Sequence, residues 1–363
     1  MGIAIWLKGM RPQTLPASVA PVAIGAAAAW TSVRQLGVCA LIYPAPESCA
    51  INRATQATLE SRFWPLAILC TLVALFLQIA VNFANDYSDG VRGVDEGRGA
   101  ASPASPASSS SAVPTGTPPV AVVLSGRRDG IAATSIHAPA RLVASGVPPK
   151  RVLAAAGGAA ALACLCGLAI VVITGHWWLL AVGVCCLLAG WCYTGGRHPY
   201  GYTGLGELFV FVFFGLVAVL GTQFVLCGTV TATGVLGAVQ AGLLSCVLLM
   251  VNNLRDVDSD RVHGKRTLAV RLGEQRARIL TVASYAIAFV PVAVMALVLL
   301  VLSVVGSAGS QYRWAIAAYG VICLAIAALT IRVMLRRDYA RTLPLVGLSL
   351  LVCAVGYVGL AAI

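Results

Sequence analysis

Two short acidic segments in this chain have the residue types and spacing to do chemistry. The first reads Asn82-Phe-Ala-Asn85-Asp86-Tyr-Ser-Asp89, the second Asn252-Asn-Leu-Arg255-Asp256-Val-Asp-Ser-Asp260. On a helix, Asn82, Asp86 and Asp89 share one face, and so do Asn252, Asp256 and Asp260, while Asp258 points elsewhere. Acids at a helix C-terminus oppose its dipole, at about 0.3–1 kcal/mol each, and repel one another. A divalent cation removes both penalties. Mg²⁺ suits the task, because it takes one or two carboxylates and completes its shell with substrate phosphate oxygens. One such cluster is commonly a solvated loop. Two of them, each with an Asn on the acidic face, point to a metal site drawn from Asn82, Asn85, Asp86, Asp89, Asp256 and Asp260. Asp95 lies six residues beyond Asp89 and needs a turn to join them.

Basic residues sit where a leaving diphosphate would need them. Arg141, Lys150 and Arg151 follow the first cluster, and Arg255, Lys265 and Arg266 flank the second. Positioned Arg and Lys side chains, together with Mg²⁺, stabilise a departing diphosphate. Arg141 and Lys265 are the expected diphosphate contacts, with Arg11 near the amino terminus as a third. The segment from Tyr193 to Glu207 is rich in glycine and tyrosine, so Tyr193, Arg197, Tyr200 and Tyr202 are expected to cap a substrate pocket. For the tyrosines, anchoring at a membrane interface is an equal alternative.

The elements that must position these groups are apolar helices. Of 363 residues, 59% are hydrophobic and 10% charged, against roughly 25% charged in soluble domains. A bilayer core needs about 20 apolar residues per helix, and nine stretches meet that need. They begin near Thr14, Trp64, Val152, Trp177, Leu208, Val235, Ile279, Trp314 and Leu343. The expected fold is therefore an all-α polytopic membrane protein forming a single domain over residues 1–363. No convincing cleavage site follows the first stretch, so it reads as a retained span. With the amino terminus in the cytoplasm and the carboxyl terminus outside, 21 of the 25 Lys and Arg residues fall on the inner side, as the positive-inside bias requires. The net charge of +12 thus reflects topology, and no nucleic-acid partner is expected. Both acidic clusters then emerge on the cytoplasmic side of a plasma-membrane protein.

Residues 99–136 form an Ala-, Ser- and Pro-rich insertion with too little apolar surface to offset its chain entropy. The cysteines fall mostly inside apolar runs and lack the spacing of a zinc site. A Cys39–Cys49 bridge is not specified by spacing.

The paired motifs, Asn85-Asp86-Tyr-Ser-Asp89 after the second span and Asp256-Val-Asp-Ser-Asp260 after the sixth, resemble those of the UbiA superfamily of intramembrane prenyltransferases. Further likeness lies in Arg11-Pro-Gln-Thr-Leu-Pro16, in the segment from Tyr193 to Glu207, and in Thr267-Leu-Ala-Val-Arg-Leu-Gly273. These runs are most similar to the branch acting on 1,4-dihydroxy-2-naphthoate. Three features depart from it: the loop from Asp95 to Arg141 is expanded, the first outside loop is long, and the Gly-Pro that usually precedes the loop arginine is Ala138-Pro139-Ala140 here. The resemblance implies a nine-helix bundle in which Asp86, Asp89, Asp256 and Asp260 are catalytic through Mg²⁺. It implies polyprenyl diphosphate and 1,4-dihydroxy-2-naphthoate as substrates, a lipid bilayer setting and no obligate protein partner. Another acceptor such as 4-hydroxybenzoate is the nearest alternative. A CDP-alcohol phosphotransferase is disfavoured because its acids lie in one continuous motif. A cation transporter would place them near the bilayer midplane.

Overall fold

The computed structural model describes residues 3–42, 46–92, 141–304 and 313–362. The insertion at 99–136 and Asp95 lie outside the described residues, as do the side chains of Cys39 and Cys49. Every regular element among the described residues is helical. A short α1 (Ile3–Gly9) and a 3-10 turn (Pro12–Thr14) lead into α2 (Pro16–Ile42), α3 (Pro46–Val91), α4 (Pro149–Thr174) and α5 (Leu179–Thr194). After a 3-10 turn at Tyr200–Tyr202 come α6 (Gly206–Val210), a π-helical segment (Phe211–Val217) and α7 (Ala218–Cys227), which run on as one rod. Then follow α8 (Ala232–Arg255), α9 (Val257–Val262), α10 (Leu268–Leu272), α11 (Glu274–Ala288), α12 (Val290–Val304), α13 (Arg313–Leu335) and α14 (Tyr339–Ala362).

Eight helical stretches among the described residues, counting the α6–α7 rod and α11 with α12 as one each, are long and apolar enough to cross a membrane, and the chain is an integral multi-pass membrane protein. The sequence pattern gives nine spans. The difference is α5, whose 16 residues start at Leu179 because His176-Trp177-Trp178 is taken up by a turn. The second span is longer than its apolar core: α3 continues to Val91 and carries Asn82, Asp86 and Asp89 on its last helical turns.

The helices α2 and α8 are the most enclosed. Ala20 and Ile24 of α2 share a buried cluster with Ala238, Ala241 and Leu244 of α8, Val219 of α7 and Leu350 of α14. Small residues allow this close approach. A methyl group on Gly215 would lie 2.7 Å from both the Ala238 carbonyl oxygen and the Gly242 Cα. Outward-facing Leu165, Val172 and Leu188 are exposed on α4 and α5, as a lipid-facing surface requires, since hydrocarbon offers no partner for polar groups.

Candidate functional site

The last turns of α3 and the break between α8 and α9 open on one cavity of about 740 Å³, lined by Asn82, Asn85, Asp89, Asn252, Asp256 and Asp260. Lys265 joins the two sides. Its Nζ lies 3.1 Å from Asp89 Oδ1 and 3.9 Å from Asp260 Oδ1. The two acidic tips therefore face the same end of the bundle and share one cation.

Each acid has its own surroundings. Asp89 is 3% exposed and accepts hydrogen bonds from Arg141, Tyr202 and Lys265. Asp86 is 1% exposed and lies outside the cavity wall: it pairs with Arg11 and accepts the Leu142 backbone N–H at 3.2 Å. Asp256 is held by Arg255, whose Nε and Nη2 lie 3.1 and 3.2 Å from its two carboxylate oxygens. Asp258 projects outward, its side chain 94% exposed and 3.7 Å from Arg261.

The second motif is not one continuous helix. The α8 helix ends at Arg255, Asp256 caps it with φ −99° and ψ 7°, and α9 begins at Val257. The four-residue step survives the break. The Asp256 N–H still bonds the Asn252 carbonyl at 3.1 Å, and the Asp260 N–H the Asp256 carbonyl at 2.8 Å. The break occurs where the chain must turn to bring Lys265 back over the tips.

Arg11, Arg141 and Lys265 all reach the cavity wall. Arg11 has φ 51°, a left-handed conformation uncommon for a side chain of this size. The Pro12–Thr14 turn follows it directly, and its guanidinium reaches Asp86.

Tyr193, Tyr200 and Tyr202 line the cavity, whereas Arg197 is exposed outside it. The Tyr200 hydroxyl donates to the Ala189 carbonyl at 2.8 Å, and its ring stacks on Phe209 at 4.1 Å between centroids. Two cations lie over the Tyr202 ring, Lys265 Nζ at 4.6 Å and Arg92 Cζ at 5.3 Å from its centroid. Burial first, and then the negative charge of Asp89, push its phenol pKa well above the ordinary value. It stays a hydrogen-bond donor.

Several contributors were not evident in the sequence. The Thr194 hydroxyl donates to Asn85 Oδ1 at 2.6 Å, and Asn82 Nδ2 donates to the Met10 carbonyl at 2.8 Å. Asn253 Nδ2 donates to Glu207 Oε1 at 3.0 Å. In this way the asparagines tie the ends of α3 and α8 to neighbouring segments.

Comparison with known proteins agrees with this architecture. Residues 129–354 match the UbiA prenyltransferase family. A 1,4-dihydroxy-2-naphthoate octaprenyltransferase of Mycobacterium tuberculosis is 39% identical over 279 residues, 76% of this chain and 73% of the relative. The protein of the same name from Escherichia coli is 32% identical over 75% of this chain and 70% of its own length. A mouse UbiA prenyltransferase domain-containing protein 1 is 26% identical over 74% of this chain and 62% of its own. The family match over residues 129–354, together with a relative 39% identical over 76% of the chain, makes the chain a member of the UbiA prenyltransferase family.

Proposed function

We propose that this protein transfers a polyprenyl group from its diphosphate to 1,4-dihydroxy-2-naphthoate, releasing diphosphate and CO₂ and giving a demethylmenaquinol. The observation that carries the chemistry is Lys265 set between Asp89 and Asp260 at the mouth of a largely apolar cavity. The naphthoate octaprenyltransferases related to this chain supply the acceptor.

The donor set fits Mg²⁺. Asp89, Asp256 and Asp260 offer hard carboxylate oxygens around one cavity. Among the described residues no three acidic, His or Cys groups converge tightly enough to hold a metal alone, so phosphate oxygens and water would complete the shell. Bound there, Mg²⁺ would neutralise charge on the departing diphosphate.

This chain's own groups do the rest. Arg141, Lys265 and Arg11 hold the diphosphate and stabilise the negative charge that grows as the allylic carbon–oxygen bond breaks. The bonding electrons leave with the diphosphate oxygen. Apolar walls such as Phe209, Phe213 and Phe214 keep water from the allylic cation. The electron-rich ring forms the new carbon–carbon bond, and its carboxylate leaves as CO₂. Tyr202 remains protonated and holds Asp89 in place.

The positive-inside bias puts this mouth on the cytoplasmic face, and α5 completes nine crossings. The test is prenyl transfer by purified protein with labelled polyprenyl diphosphate, offering 1,4-dihydroxy-2-naphthoate and 4-hydroxybenzoate in parallel, with and without chelator. Metal-dependent product from the naphthoate alone is expected. Product from 4-hydroxybenzoate alone overturns the acceptor, and undiminished turnover in chelator overturns the metal.

A further inference from the structure

The cavity wall contains a polar group that the reaction above does not use. Gln78 lies one helical turn before Asn82 on α3 and lines the cavity, and it is 8% exposed. Its Oε1 is buried and receives no hydrogen bond. A buried acceptor left unpaired is costly and calls for a partner.

The orientation of this amide follows from its neighbours. The Met10 carbonyl can only accept, so Asn82 must present Nδ2 to it, at 2.8 Å. Asn82 Oδ1 is thereby turned toward Gln78, which must answer with Nε2, at 3.2 Å. Thr14 gives the same result independently. Its hydroxyl spends its one proton on the Arg11 carbonyl at 2.9 Å, so it faces both amides as an acceptor, 3.4 Å from Gln78 Nε2 and 3.2 Å from Asn82 Nδ2. Flipping Gln78 would set its oxygen against two acceptors. The unpaired atom is therefore Oε1, and its missing partner is a donor.

The place of Gln78 favours a donor on the aromatic substrate. Its amide adjoins Asn82 and Thr14, and Asn82 is one turn before Asp86 on the same helix. Gln78 lies about three helical turns before Asp89, which holds Arg141 and Lys265, so its amide sits further along the apolar cavity than those cations, toward the walls between which the prenyl chain and the ring would meet. In 1,4-dihydroxy-2-naphthoate the 1-hydroxyl is engaged by the adjacent carboxylate, which leaves the 4-hydroxyl as the free donor.

We propose that Gln78 recognises the acceptor, its Oε1 taking a hydrogen bond from the 4-hydroxyl of the naphthoate; this rests on the acceptor assigned above. Gln78 then determines specificity for a hydroxyl para to the one beside the carboxylate. A site that loses a buried hydrogen bond discriminates against the analogue lacking it.

The test compares 1,4-dihydroxy-2-naphthoate with 1-hydroxy-2-naphthoate on the full-length protein, wild type against Gln78→Met and Gln78→Leu. In wild type the dihydroxy acceptor is favoured by at least about tenfold in KM, the effect of about one buried hydrogen bond. Both variants lose that preference, while KM for the polyprenyl diphosphate stays unchanged. Where a variant has no turnover, equilibrium binding of the two naphthoates reads the same ratio. A preference that survives both substitutions overturns the proposal, as does an equal rise in the constants for both acceptors and the donor. A wild type that prenylates only 4-hydroxybenzoate removes the acceptor assignment itself, a result recognisable before any variant is made.

Discussion

Lys265 Nζ stands 3.1 Å from Asp89 Oδ1, a contact between residues 176 positions apart in the sequence. The contact joins the two acidic tips across the cavity, since Lys265 follows the α8–α9 break while Asp89 lies in the last turn of α3. It also places a cation where negative charge would gather in the reaction. Replacing Lys265 by Met keeps most of the packing stem and deletes the charge. Turnover is expected to fall about 100- to 1,000-fold, the scale of losing one group aimed at developing charge. Steady-state assay of the variant at saturating donor checks this. Near-wild-type turnover would remove Lys265 from the chemistry.

The acids divide by surroundings, and their substitutions should divide likewise. Asp86 is buried against Arg11 and the Leu142 N–H, outside the cavity wall. Asp86→Ala leaves those donors unpaired and is expected to cost about 1–3 kcal/mol of stability, with weaker donor binding as Arg11 loosens. Asp260 faces the cavity, so Asp260→Ala is expected to abolish turnover with a smaller change in melting temperature. Thermal unfolding in detergent, paired with donor KM, separates the two. Identical melting shifts would show that this division by location is wrong.

Much of this site was legible because a helix repeats. Steps of four and three along Asn82, Asp86 and Asp89, and of four along Asn252, Asp256 and Asp260, follow from helix geometry alone. Apolar run length likewise located the helices that carry them. Contacts across the chain were not legible. Nothing near Thr194 announces Asn85, and nothing near Met10 announces Asn82, because those pairs form only when the bundle closes. Periodicity also could not separate Asp86 from Asp89: they share a face, yet only Asp89 reaches the cavity. The π segment at Phe211–Val217 was invisible for another reason. Widening a helix leaves its composition unchanged, so no residue type marks it.

Tyr202 offers two separable contributions to the mouth. Its hydroxyl donates to Asp89, and its ring lies beneath Lys265 and Arg92. Tyr202→Phe removes only the hydroxyl, and Tyr202→Leu removes the ring as well. A ring–cation contact is worth about 0.5–2 kcal/mol depending on desolvation, so the Leu variant is expected to bind diphosphate more weakly than Phe by several-fold. Donor KM for both variants is the measurement. Equal values would mean that the ring contributes nothing to holding Lys265.

The π segment is backed by glycine, which yields a prediction about architecture alone. A Cβ on Gly215 would sit 2.7 Å from the Ala238 carbonyl oxygen and the Gly242 Cα, both of them backbone atoms that cannot rotate away. Gly215→Ala must therefore push the π segment off α8, at an expected cost of about 1–3 kcal/mol. Gly221, six residues on and within α7, has nothing within 4 Å of the same added atom. Gly221→Ala should be neutral or stabilise by up to about 1 kcal/mol, because alanine favours the helix. Melting temperatures of the two variants in the same detergent form the comparison. If Gly215→Ala melts no lower than Gly221→Ala, the close approach of the π segment to α8 is not what holds Phe213 and Phe214 on the cavity wall.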